Sequence, residues 1–459
     1  MKRLPRHLPI FSALLLLCLG WGYLATLLPG IGYSGDTIKF QYLGQVLGIP
    51  HAPGYPLYLV LNHLFVTLVP FGSAAYKVNL LSALYAALAC LMLFKLLRLL
   101  GTGPFVALVA ALAFGFSKSF WSQAVVAEVY TLLVLFIASV SYFLLRWHLK
   151  RCDRDFYLAT ALYALSFGNH LLAITLLPAF VYLVAVTDKR VFIQPKKVLW
   201  VLAVVTLGAA QYLYLWWRLN DPQTPYIEGL NAGNFFYYVT GGPFKPLMFA
   251  FTPAEVLTVR LPLFLSLMRD NLPVVSVVAL FGVFVGHMPR GVRFFLLIYF
   301  FSNAFYALNY DIPDIEGYFL ANDLVVAVFA GVALERLLRW GQRTPKRWQR
   351  WSVVGFLLLI PIAFFAARYP IVNQSDNTAQ QGELEAALAV LGEDAAVVTL
   401  NYPSGQAFLY YLLAEGWGAR NLHVADFGRN RELLRAYLRL PLAWRLLGQQ
   451  MFVVAHRAD

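Results

Sequence analysis

Asp36 is the single acid in "YSGDTIKFQYLGQVLGIPHAPGYPLY", residues 33–58, which follows the first apolar run of the chain. His51, Pro53, Gly54 and Tyr55 form its stiff turn "PHAPGYP", where each Pro fixes φ and Gly permits a tight reversal. Glu128 and Tyr130 lie in "AVVAEVYTL", and Asn169 and His170 in "FGNHLLA". Asp311, Asp314, Glu316 and Tyr318 crowd "NYDIPDIEGYFLAND". Carboxylates and imidazoles are the groups that move protons. Each stretch abuts an apolar run, and ionisable residues at membrane depth are functional candidates by default. Singly, each also has an ordinary explanation: a loop acid is usually solvated, "PHAPGYP" can be only a rigid loop, Glu128 can cap a helix, and His170 can serve its turn. What singles them out is that all fall at the same face of the apolar runs, as the walls of one cavity would.

The elements that must position them are membrane helices. The chain has 459 residues, 60% hydrophobic and 13% charged, against about 45–50% apolar and about 25% charged in soluble domains. Runs long enough to cross a bilayer are 8–28, 76–100, 103–118, 124–147, 155–169, 170–187, 198–217, 272–288, 293–309, 318–338 and 351–367, about eleven spans. The first run, too long for the apolar core of a cleaved leader, is expected to be retained. Basic segments "KRLPR", "KLLR", "RWHLKRCDR", "DKRVFIQPKK", "PRGVR" and "RLLRWGQRTPKRWQR" fall on every second connection. By the positive-inside rule the N-terminus is then cytoplasmic and the C-terminus extracytoplasmic, in a cell membrane. The net charge of +13 resides in these short loops, which argues against nucleic acid and for anionic lipid headgroups as partners. Cys18, Cys90 and Cys152 lack paired or metal-type spacing and read as apolar filler.

Three regions break the pattern. Loop 29–75 carries amphipathic stretches at 37–47 and 55–69, read as helices lying at the interface. Loop 218–271 has a similar piece near 253–268. Residues 368–459 are soluble in character: "AAVVTL", "NLHVADF" and "MFVVAH" read as strands, with helical patterns at 404–415 and 430–440. The expected architecture is a multi-span α-helical membrane domain over 1–367 and a small extracytoplasmic α/β domain over 368–459 that positions an acceptor.

"GDTIKFQYLGQVLGIPHAPGYPLY", followed by "KVNLLSALYAALA", "AVVAEVYTL", "GNHLL" and "YDIPDIEGYFL", resembles the GT-C glycosyltransferases, in particular the branch that includes a transmembrane protein O-mannosyltransferase. The resemblance runs over most of residues 8–340. It implies a multi-span enzyme that uses a polyprenyl-phosphate sugar at the outer face, with its essential acid in the first outer loop at Asp36. That family usually reads Asp-x-x-Glu and then His-Pro-Pro-Gly; here Lys39 and Ala52 take the places of the Glu and one Pro. Such a donor brings its own leaving group, so one carboxylate can serve as base, and Asp36 is the expected base. Lys39, Lys118, His170, Arg218 and Arg260 are candidates to hold the donor phosphate. The loop offers too few oxygens for a hard divalent cation, so a metal-independent enzyme with no other cofactor is expected. The acceptor is a protein, lipid or glycan hydroxyl. A transporter is disfavoured because no internal repeat appears and the acids cluster at one face. The same pattern would also suit a catalytically silent fold, given Lys39, or a ligase using a diphosphate-linked donor.

Overall fold

The computed structural model describes residues 8–285, 288–343, 346–390, 395–399, 402–416, 423–426 and 450–454. Apolar runs punctuated by Pro and Gly dictate the helices. α1 (Leu8–Ala25) leads into α2 (Gly35–Val46) and α3 (Pro56–Leu68), the two helices of the first loop. Pro stands in the first turn of α3, of α5 (Pro104–Gly115) and of α10 (Pro195–Ala210), where its missing N–H would be unpaired in any case. Between them run α4 (Ala74–Leu99), α6 (Lys118–Ala124), α7 (Tyr130–Lys150), α8 (Asp153–Ser166) and α9 (Leu177–Thr187). Ser73 caps α4 by accepting from the Tyr76 N–H at 3.2 Å.

The second long loop holds α11 (Leu213–Leu219), α12 (Phe235–Val239), α13 (Pro253–Glu255) and α14 (Leu261–Asn271), and the last two are joined by a π-helical turn, Val256–Arg260. α15 (Val275–Val285), α16 (Arg290–Leu308), α17 (Glu316–Gln342) and α18 (Arg347–Val372) complete the helical body, with α19 (Ala379–Val390) and α20 (Tyr402–Ala414) beyond it. Three parallel strands, β1 (Ala395–Thr399), β2 (His423–Asp426) and β3 (Gln450–Val454), pair in the order β2–β1–β3, with Ala396 opposite His423 and Met451. The helical pattern read at 430–440 lies outside the described residues.

Among the described residues, six stretches are long and apolar enough to span alone: α4, α7, Pro195–Leu219, α16, α17 and α18. Two bent pairs raise the number to eight: α5 with α6, bent by 73°, and Pro253–Asn271 with Val275–Phe284, bent by 103°. The sequence count of eleven is thus not reached by length and composition, because α1, α8 and α9 are short and because the runs at 103–118 and 272–288 are arms of broken helices. α17 is buried over most of its length, whereas α10 presents Leu199, Leu202 and Leu207 outward at 65%, 58% and 66% exposure, as a lipid-facing helix must. This is a multi-pass membrane protein.

One expectation is corrected. α2 is not a surface helix: nine of its residues, Lys39 and Gln41 among them, are buried. The polar side that sequence assigns to water is covered by α20. Tyr42 donates to Gln406 Oε1 at 2.8 Å, and Tyr410 accepts from the Ala75 N–H at 3.2 Å.

Candidate active site

α2 starts at Ser34–Gly35, so Asp36 falls in its first turn, where a negative charge meets the positive end of the helix. Three residues on, Lys39 lies on the same face, and its Nζ is 3.0 Å from Asp36 Oδ1. The chain then turns through "PHAPGYP". The Gly54 N–H closes the turn onto His51 O at 3.0 Å, Gly54 adopts a φ of 92°, and a Cβ there would lie 2.5 Å from Leu215 Cδ1. Only glycine satisfies both demands. The turn sets His51 Nδ1 2.7 Å from Lys39 Nζ. An ammonium can only donate, so Nδ1 accepts, and the proton on Nε2 is donated to the Tyr55 hydroxyl at 2.9 Å.

The second loop is pinned to this turn by a short bridge. The Ile49 N–H bonds Tyr226 O at 2.9 Å and the Glu228 N–H bonds Ile49 O at 3.0 Å. That pairing delivers Glu228, whose Oε2 accepts from Lys39 at 2.9 Å. The Tyr402 hydroxyl arrives from α20, bonds Lys39 and donates to Glu228 Oε1 at 3.2 Å. Four chain segments therefore meet at one ammonium.

Asp36 faces a cleft of about 100 Å³. His51, Pro53, Tyr55, Glu128, Tyr130, His170, Asp314 and Tyr318, all singled out in the sequence, line it as well. Glu128 Oε1 accepts from Thr37 in the first turn of α2 at 2.9 Å. Tyr130 donates to Asp314 Oδ2 at 2.7 Å. His170 accepts from the Leu172 N–H at 3.0 Å through Nδ1, which leaves its Nε2–H as a donor. Asn169 ties the same turn to Val129 O at 3.1 Å from just behind the wall. Phe244, Met248, Tyr306 and Tyr310 give the opposite side an apolar and aromatic surface. No Lys or Arg is among the described lining residues.

Several candidates stand elsewhere. Glu316 turns away from the cleft to accept from Ser119 at 2.9 Å, and Asp311 and Lys118 are not part of the wall. Arg218 donates to Leu47 O at 2.7 Å and pairs with Asp221, while Arg260 donates to Tyr310 O at 2.8 Å, closing the end of α16. Both guanidiniums are spent on backbone carbonyls because each caps a chain segment that otherwise ends in unpaired C=O groups. Lys39 is likewise committed. Glu228 and Tyr402 were not singled out from sequence. Glu228 was one more outer-loop acid, and Tyr402 is one of 26 tyrosines in a segment read as a separate domain.

The carboxylates differ in their electrostatics. Burial tends to raise the Asp36 value, but His51 and Lys39 outweigh it and the carboxyl sits below its ordinary range. At neutral pH the charge is that of Lys39, since burial and Lys39 push His51 itself down to about 4, and His51 adds its own only in the acid range where Asp36 titrates. Glu128, in the loop ahead of α7, is pushed up to about 8 by burial and then by Asp36, against the pull of the Thr37 bond. At neutral pH the cleft thus holds one ionised and one largely protonated carboxyl, the divergence that separates acid from base.

Residues 36–192 match the family described as Protein O-mannosyl-transferase TMEM260 N-terminal domain. The mouse Protein O-mannosyl-transferase TMEM260 is 43% identical over 110 residues, and that of Dictyostelium discoideum 25% identical over 122. These stretches cover 24% and 26% of this chain and only 15% of either relative. Over the whole chain, the structure of ArnT from Cupriavidus metallidurans bound to undecaprenyl phosphate superposes with a TM-score of 0.62 at 12% identity, covering 97% of this chain and 96% of that one. That likeness is one of fold. The chain is thus of the GT-C glycosyltransferase fold and resembles the protein O-mannosyltransferase branch of that superfamily.

Proposed function

We propose that this chain is an inverting glycosyltransferase that moves a sugar from a polyprenyl-phosphate donor to an acceptor hydroxyl at the extracytoplasmic membrane face. The observation that carries the reading is that Asp36, held by Lys39, and Glu128, held by Thr37, line one aromatic-walled cleft, where the lowered value of the first and the raised value of the second suit a base and an acid. Asp36 is a weak base because its value is depressed. It suits a reaction in which the acceptor proton becomes acidic only late, as the bond to the sugar forms. Glu128 can then donate to the departing phosphate oxygen. His170 Nε2–H and the Tyr55 hydroxyl are further donors for the donor headgroup. The tyrosines offer faces and hydroxyls to a sugar ring, and the Tyr130–Asp314 pair can read one of its hydroxyls. The reaction is a single displacement, so no protein nucleophile is needed. The cation between Asp36 and Glu228 is the Lys39 ammonium, and no step is routed through a metal. Support for the donor class comes from the undecaprenyl phosphate bound in the similar ArnT structure. The names of the relatives make mannose the first sugar to try. In this reading residues 1–367 form the catalytic membrane domain, with about eleven spans, and 368–459 contribute the acceptor side.

The test is purified full-length protein incubated, in excess chelator, with a panel of polyprenyl-phosphate sugars. Transfer or slow donor hydrolysis is expected with at least one. Asp36→Asn should lower it by about 10²–10⁴-fold, the usual weight of a general base, with donor affinity nearly level. Wild-type transfer per folded molecule by the Asn variant overturns the assignment of the base. Absence of binding and release across the panel overturns the reaction.

A further inference from the structure

A lysine three residues from a base that acts on a phosphate donor invites one use, as a phosphate ligand. The geometry withholds it. The Lys39 side chain is only 1% exposed, and its Nζ is 3.0 Å from Asp36 Oδ1, 2.9 Å from Glu228 Oε2 and 2.7 Å from His51 Nδ1, with the Tyr402 hydroxyl as a further partner. An ammonium offers three protons, so these acceptors compete and none is fully satisfied. Two carboxylates share one cation. Asp36 is the partner with the most freedom: its side chain is 45% exposed towards the cleft, and no bond to its Oδ2 is found among the described residues.

We propose that Lys39 is a positioning residue that keeps Asp36 ionised and aimed into the cleft, and that Glu228 and Tyr402 act on Asp36 only through it. The proposal rests on the reading of Asp36 as the base. At neutral pH the other groups facing Asp36 bring no positive charge, His51 at 3.6 Å included, which gains one only in the acid range. His51, from the turn, spends Nδ1 on Lys39 and Nε2–H on Tyr55. Tyr55 and Tyr402 are neutral hydroxyls, and Glu128, ahead of α7, carries no positive charge. At neutral pH Lys39 alone brings a full cation, and its own burial lessens the screening of that charge although Asp36 stands half open to the cleft. The arrangement also gives the far end of the chain a hand in the base. Tyr402 holds Lys39 from α20, and Glu228 holds it from the second loop, so a shift of either segment changes how much of the ammonium is left for Asp36.

Infrared difference titration of the Asp36 carboxylate, assigned by its loss in Asp36→Asn, tests this without any substrate. In Lys39→Met the titration should move upward by about one pH unit or more, and the acid limb of transfer should move with it. In Glu228→Gln, which keeps Lys39 in place and serves if the Met variant does not fold, it should move downward, since Asp36 no longer shares the cation. Binding of undecaprenyl phosphate should change less than about threefold in either. An unmoved Asp36 titration, or a tenfold loss of undecaprenyl phosphate binding by Lys39→Met, overturns the proposal and makes Lys39 a structural or donor-binding group. If no sugar is transferred by the wild type while the titration still shifts, the positioning stands and the catalytic reading has failed.

Discussion

Asp36 and Glu128 share a cleft wall, yet their proton affinities are driven apart by what each touches. Glu128 is partly buried and has the charge of Asp36 nearby, and its folded value of about 8 lies above the ordinary 4.5. The folded state therefore holds the proton more tightly than the unfolded chain does. That contribution to stability is fully present below about 4.5 and is lost as pH rises through about 8. Glu128→Gln fixes the neutral shape. Its melting temperature in detergent should fall less than that of the wild type between pH 5 and pH 9. Wild-type kcat/KM should decline above about pH 8, whereas the Gln variant, slower throughout, should lose that alkaline limb. Equal limbs in both proteins would remove Glu128 from the chemistry. Much of this wall was legible, because Asp36, His51, Glu128 and His170 each sit where an apolar run breaks. The fate of Lys39 was not. Its charge suggested a phosphate, and nothing local reveals partners 189 and 363 residues away.

At the scale of elements, the same limit appears as packing. Hydropathy finds helices but not their bends: α5 and α6 form one apolar stretch around "GFSKS", and the 103° bend follows Asn271, where "NLP" interrupts the run. Both breaks are visible as punctuation, yet their angles depend on neighbours. α2 was misread for a related reason, since its buried polar side is matched by α20 and not by water. Glycines mark the tightest of these contacts. At Gly282 on α15 a Cβ would lie 2.0 Å from Phe329 O on α17, and a backbone atom cannot swing aside. Gly282→Ala should force the two helices apart and destabilise the fold by about 1–3 kcal/mol, read as a lower melting temperature in detergent. At Gly20, where nothing lies within 4 Å, the same substitution should be close to neutral. Equal effects at both sites would mean that the α15–α17 crossing is looser than its geometry.

For the whole molecule, the alternation of basic loops sets the orientation expected in the membrane. A reporter that works only outside the cytoplasm, fused after Asp459, should be active, and activity of a cytoplasm-only reporter there would reverse the assignment. The helical body was legible because spans write long apolar runs into the sequence, whereas length and composition support six to eight spans among the described residues and not the eleven read from hydropathy. The docking of α20 on α2 left no such trace, being a match between two polar surfaces distant in the chain. Its consequence is one of timing. Lys39 and Tyr402 are 363 residues apart, and at about 5–20 residues per second a ribosome needs roughly 20–70 seconds to make the second after the first. Through that interval Asp36 and Lys39 are without the Tyr402 hydroxyl that bonds the ammonium. Until α20 is made and docked, the Lys39 ammonium is shared among Asp36, His51 and Glu228 alone of these partners.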